Sequence, residues 1–163
     1  MLAKIATYTE SQRPRVPLAE LRSLLRHGPP NTAGDAIASI VETALDIVPS
    51  AAVFVPTRTG TTARMISRLH PSQWIVALSR DSDVCQGLVF SFGVEPVHLL
   101  EDPKNWRDFA RAWLEAHQIP GHVALLVAGP SRQNPEANYR LEFLRFGEFT
   151  PLPAAEKTDA ARE

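Results

Sequence analysis

From Ala51 onward the chain alternates between short apolar runs and longer stretches with apolar residues at helical spacing. The runs Ala51–Val55, Trp74–Ser79, Pro96–Leu100 and Val123–Val127 predict four strands. Each is continuously apolar, as strands covered on both faces are. Between them the spacing predicts three helices. One covers Thr62–Leu69. The next starts from a cap at Asp81 or Ser82 and ends near Phe90 or Ser91. The third runs from Trp106 to His117 behind an Asn105 cap, with Phe109, Trp113 and Leu114 apolar. Strand–helix alternation of this kind implies right-handed crossovers and a doubly wound parallel sheet. The last run, Tyr139–Phe143, alternates apolar and polar residues, so one of its faces meets water. Its connection, Gly129–Asn138, carries no helix, which favours an antiparallel neighbour. The expected fold is α/β: a three-layer α/β/α sandwich around a five-stranded, mainly parallel sheet with an antiparallel last strand.

Upstream, residues 35–48 give the clearest helix, with Ile37, Ile40, Val41, Ala44, Leu45 and Val48 on one stripe and Pro49 at its end. Residues 11–34 are broken by Pro14, Pro17, Gly28, Pro29, Pro30 and Gly34, and read as a linker holding a short helix from Leu18 to Arg26. Residues 1–10 suggest a short helix with Leu2 and Ile5 on one face. Residues 150–163 carry prolines, alanines and charges without periodicity, the pattern of a disordered tail. The expected division is thus 1–34 (N-terminal helix and linker), 35–149 (the α/β domain) and 150–163 (tail).

Composition narrows the picture. A chain of 163 residues with 44% hydrophobic and 21% charged residues is long enough for one buried core. A net charge of −1 gives no ground for a nucleic-acid or membrane-surface partner. No apolar run reaches membrane-spanning length and no signal-peptide pattern is present, so the cytoplasm is the expected location. The single Cys85 excludes an internal disulfide and a multi-cysteine metal site, and its apolar surroundings make it a buried structural thiol.

The chemistry concentrates in Thr57-Arg58-Thr59-Gly60-Thr61-Thr62, between the first strand and its helix. A strand emptying through such a loop into a helix is a natural phosphate cradle. The first N–H groups of the helix are free, the threonine hydroxyls add donors, and Gly60 permits close backbone approach. The same residues also serve as ordinary punctuation, with Thr61 or Thr62 as N-cap and Gly60 as turn. The loop is neither a Walker loop, since Gly-Lys-[Ser/Thr] is missing, nor a dinucleotide fingerprint, which needs three glycines. Ligands of open α/β sheets sit beyond the carboxyl ends of the strands. There Thr57–Thr62, Ser79–Asp81, Leu100–Trp106 and Gly129–Asn138 gather, and Arg58, Arg64, Arg80 and Arg132 are candidates to hold anionic oxygens. None of the five histidines stands at metal-ligand spacing with another ligand, and no paired carboxylates or serine-nucleophile context occurs. The residues describe a binding domain more than an enzyme, with no metal site.

The order of these segments resembles the C-terminal alpha/beta domain of pyruvate kinase. That family carries an apolar helix, a strand, a Ser/Thr-Gly loop, and a helix closed by an Arg-aromatic-x-Pro stretch, here Arg68-Leu69-His70-Pro71. Then come a strand ending in arginine, here Leu78-Ser79-Arg80, and a Gly-x-x-Pro-Val stretch, here Phe92-Gly93-Val94-Glu95-Pro96-Val97. The match covers about residues 35–146. Met1–Ala6 is similar to the last helix of that enzyme's catalytic barrel. The resemblance implies that Thr57, Arg58, Thr59, Gly60, Thr61 and Thr62 bind a phosphate of an allosteric effector. Arg80, Trp106 and Arg132 are possible additional contacts, the last in the stretch that takes the place of the family's effector-closing loop. In bisphosphate-binding members a Trp and an Arg seven residues later hold the second phosphate. Trp106 matches the first, but Trp113 stands at the second position, and Arg111 lies on another face of the helix. One phosphate is therefore expected. The resemblance places the active site of this glycolytic phosphotransferase, with its Mg²⁺ and K⁺, in the barrel. It implies no cofactor in this chain, no kinase activity from it alone, a phosphorylated small molecule as effector, and a homo-oligomer. The competing readings are a freestanding phosphometabolite-binding protein and an oligomerisation module with an empty loop.

Overall fold

In a computed structural model of the chain, Tyr8 and residues 33–129 and 139–147 are described. The chain divides into a unit of Met1–Asn31 and a unit of Thr32–Glu163. The expected helix over residues 1–10, the linker up to Thr32, the loop residues from Pro130 to Asn138 and the tail lie outside the described residues, Tyr8 aside, while Ala33 and Gly34, expected in the linker, open the first helix.

The second unit holds α1 (Ala33–Ile47), β1 (Ala52–Pro56), α2 (Thr61–Ser67), β2 (Trp74–Ser79), α3 (Ser82–Leu88), β3 (Val94–His98), α4 (Trp106–Ala116), β4 (Val123–Ala128) and β5 (Arg140–Arg145). The strands form one sheet in the order β3-β2-β1-β4-β5. β1 runs parallel to β2 and β4, and β2 parallel to β3. β5 lies antiparallel on β4, with Leu125 opposite Phe143 and Val127 opposite Leu141. The expected α/β sandwich with four parallel strands and an antiparallel last strand is the observed fold.

Alternation along the strands builds two apolar layers. Val53, Val55, Ile75, Ala77, Leu125 and Val127 face one side, where Ala38, Val41 and Leu45 of α1, Ala63 and Ile66 of α2 and Leu88 of α3 cover them. Ala52, Phe54, Val76, Leu78, Ala124 and Leu126 face the other, under Ala110, Trp113 and Leu114 of α4. Ala52–Val55 and Ala124–Val127 have no solvent exposure, which is why these segments are apolar at every position. Phe54 anchors the α4 side, meeting Phe109 edge-on at 6.3 Å and Trp113 at 5.7 Å between ring centroids. Cys85 is buried, and desolvation pushes its thiol above the ordinary pKa, which keeps it protonated and inert.

Several expectations need correction. Ile40 is exposed and Ala38 takes its place in the core. The α1 stripe centres on Val41, and the residue just before it lies about 100° around the helix, at the stripe's rim. β3 starts at Val94, two residues before Pro96. The Ile75 N–H donates to the Gly93 carbonyl at 2.8 Å, which sets the start, and an edge strand tolerates the proline inside it. On β5 the face carrying Tyr139 and Phe143 is the wetter one, while Leu144 and Phe146 are buried. α4 covers the latter face, and Leu141 is partly buried against the opposite layer. No helix among the described residues is long and apolar enough to cross a membrane.

Candidate functional site

In the order β3-β2-β1-β4-β5, the chain winds outward from β1 through α2 and α3 on one face. It returns through α4 on the other face to reach β4. The switch point therefore lies between β1 and β4, and open α/β sheets bind their ligands at such a point, beyond the carboxyl ends of the strands. Residues 57–60 leave β1 at that end.

The loop is fixed at both ends. The Thr57 N–H donates to the Leu78 carbonyl at 2.8 Å, tying the loop to the end of β2. The Gly60 N–H donates to Thr57 Oγ1 at 2.9 Å, and the Thr59 and Thr61 hydroxyls bond each other at 2.9 Å. The first helical bond of α2 follows, from the Arg64 N–H to the Gly60 carbonyl at 3.0 Å. Gly60 is buried at φ 76°, in the left-handed region. A Cβ there would come within 3.0 Å of Arg64 Nη1 and 3.1 Å of Leu88 Cδ2, so both backbone shape and space require glycine. Thr57 and Thr62 are half-buried, while Arg58, Thr59 and Thr61 are exposed.

The three helices that follow strands at this end start differently. Asp81 caps α3, its Oδ1 accepting from the N–H groups of Asp83 and Val84. Asn105 caps α4, its Oδ1 accepting from those of Arg107 and Asp108. At α2 the N-cap is Gly60, and no side chain bonds the end of the helix. Neither Thr61 nor Thr62 is the cap, because Gly60 already holds the turn and α2 begins at Thr61.

The outlying candidates are placed as follows. Arg80 pairs with Asp102, Nη2 to Oδ2 at 2.9 Å, in the segment after β3. Both partners are largely exposed, so the pair is worth about 0.5 kcal/mol. The Arg80 carbonyl also lies 3.2 Å from His98 Nε2. Trp106 opens α4, half-buried in the apolar layer and edge-on to Phe109 at 6.2 Å. Arg132 lies outside the described residues. Trp113, seven residues after Trp106, is core: it meets Phe54 edge-on and stacks on His117 at 3.9 Å. Arg111 is exposed and lines a cavity of about 490 Å³ with Leu114, Ile119, Pro120, His122 and Phe146. That cavity sits where α4 ends and β4 begins, at the opposite end of the sheet from the threonine loop. Among the described residues no three of His, Cys, Asp and Glu are grouped to hold a metal ion.

The structure thus draws Thr57–Thr62 and Arg64 together and directs Arg80 to Asp102. Arg64 stood in the sequence as one of four arginines. Its bond from Nη1 to the Thr59 carbonyl at 2.8 Å singles it out. Its place four residues after Gly60 is the local signal for that contact, since helical side chains lean toward the N-terminus. The support of Gly60 by Leu88 comes from 28 positions away and has no local signal.

Comparison with known proteins is consistent with this architecture. The family described as "Pyruvate kinase, alpha/beta domain" matches residues 35–138. The pyruvate kinase of Thermococcus litoralis is 42% identical over 97 residues, which are 59% of this chain and 20% of that protein. Pyruvate kinase 2 of Synechocystis sp. is 32% identical over 133 residues, 79% of this chain and 21% of that protein. The solved structure of Cryptosporidium parvum pyruvate kinase in complex with ADP superimposes with a TM-score of 0.61 at 28% identity, covering 74% of this chain and 25% of that one. The chain spans about a fifth of the length of the curated relatives it matches. With 104 of its residues, 35 through 138, matched by one family, the chain belongs to the pyruvate kinase alpha/beta domain family.

Proposed function

We propose that this chain is a regulatory, effector-binding domain of pyruvate kinase type, which holds one phosphate of a phosphorylated small molecule in the Thr57–Thr62 loop. The observation that carries the proposal is the loop's position. A Gly/Thr turn, fixed to β1 and β2, sits at the carboxyl end of β1 beside the switch point, the place where open α/β sheets bind ligands. Threonine hydroxyls supply donors there, and the N-cap of α2 is a glycine that makes no side-chain cap bond. Binding at this loop shifts an equilibrium between subunit or domain arrangements by the difference in its affinity for the two states. Arg58 is the exposed cation within the loop, and Arg80, Trp106 and Arg132 are contacts of second rank.

The count of phosphates follows from position 113. An indole packed against Phe54 cannot hold a second phosphate, so sugar monophosphates and bisphosphates should bind with similar affinity. The chain by itself transfers no phosphoryl group and needs no cofactor, since Mg²⁺ and K⁺ belong with the barrel. It works as a homo-oligomer in the cytoplasm, without nucleic-acid or membrane partners.

Thermal melting with and without a sugar monophosphate tests the proposal, with Thr61→Glu as control. The ligand should raise the Tm of the natural chain, and the introduced carboxylate should abolish that rise. If neither happens, the loop is empty. The reading as an oligomerisation module, which the edge position of β5 among the described strands favours, then takes its place.

A further inference from the structure

We infer that Arg64 is the positioning residue of the threonine loop, an inference that rests on the loop being a phosphate site. Arg64 is half-buried on the first turn of α2. Its side chain leans back toward the helix start, as helical side chains do, and Nη1 donates to the Thr59 carbonyl at 2.8 Å. The guanidinium lies in a niche between two glycines. A Cβ on Gly60 would sit 3.0 Å from Nη1, and a Cβ on Gly87, in the last turn of α3, would sit 3.3 Å from Nη2. Leu88, fully buried, packs against the same glycine of the loop.

The consequence is electrostatic. A carbonyl oxygen turned toward a bound phosphate repels it. Held by Arg64, the Thr59 carbonyl is engaged inside the niche and is not left to face an anion at the loop. The guanidinium also places a permanent positive charge behind the loop, in a fixed fork geometry. Arg80, by contrast, is held by Asp102. Arg58 sits on the loop's exposed side, where it can meet an anion but does not shape the backbone.

Nuclear magnetic resonance on the full chain tests this, with Arg64→Ala, Arg64→Lys and Arg58→Ala, and inorganic phosphate and a sugar monophosphate as probes. Without ligand, Arg64→Ala should shift the Thr59 carbonyl carbon and speed amide exchange at Gly60 about tenfold, the scale of one charge-assisted hydrogen bond. It should weaken phosphate binding by a similar factor. Arg64→Lys should restore both in part, having charge and a donor but no fork. Arg58→Ala should weaken phosphate while leaving Gly60 exchange as in the natural chain. Unchanged Gly60 exchange and an unchanged Thr59 carbonyl in Arg64→Ala would overturn the inference. If phosphate fails to shift residues 57–62 of the natural chain, the phosphate-site reading falls instead, and the exchange data still decide whether Arg64 sets the loop.

Discussion

Gly60 carries more of the local structure than any threonine beside it. Its φ of 76° closes the turn, its N–H satisfies Thr57, and its missing side chain leaves room for Arg64 and Leu88. Gly60→Ala should destabilise the chain by about 1–2 kcal/mol from backbone strain alone, read as a drop in the denaturation midpoint, and should distort the loop. At this scale the caps Asp81 and Asn105 were legible, because a short polar side chain before an apolar helical pattern has one economical use. The cap of α2 was not. Thr61 and Thr62 have the right chemistry, but backbone shape decides, and the contact that fixes it comes from Leu88 on another helix. Arg64 was visible as a cation, and its role as a support had only its spacing from Gly60 as a signal, because its carbonyl partner is placed only once the loop has folded.

Among the elements, the inner strands β2, β1 and β4 were the most legible, since an apolar run buried on both faces leaves little else for the chain to do. The edges were least legible. Among the described strands β3 and β5 each pair on one side, so their ends answer to a single neighbour and to local turns. β3 begins two residues before Pro96, and β5 buries Leu144 and Phe146 in place of Tyr139 and Phe143. α4 shows how the same spacing can carry a site or a core. Trp106 and Trp113, seven residues apart, share the face turned to the sheet. Trp106 lies at the end of the sheet that carries the threonine loop, and Trp113 lies deep against Phe54. Trp113→Arg should therefore not create a second phosphate site. It removes an indole from the core and buries an unpaired charge, so it should destabilise by about 3 kcal/mol or more in chemical denaturation. A variant that kept its stability and gained affinity for a bisphosphate over a monophosphate would contradict this.

For the molecule as a whole, the fold class and the place of the switch point followed from element order, because double winding fixes it. Whether and what the switch point binds does not follow from winding. It depends on which hydroxyls, N–H groups and cations face it, and the stretch from Pro130 to Asn138, with Arg132, lies outside the described residues. The chain spans a fifth to a quarter of the pyruvate kinases it resembles, so the activity of those enzymes is not ascribed to it alone. A coupled assay of phosphoryl transfer from phosphoenolpyruvate to ADP on the purified chain should give no rate above the enzyme-free blank. Turnover that tracked chain concentration would overturn the division of labour proposed for it.

The most direct test of the central claim is calorimetric titration of the chain with a sugar monophosphate, beside Thr61→Glu. Saturable heat with one site per chain is the expected result, abolished in a variant that melts like the natural chain. The absence of heat with any phosphorylated sugar, or heat that Thr61→Glu leaves unchanged, would contradict the assignment of the Thr57–Thr62 loop as a phosphate site.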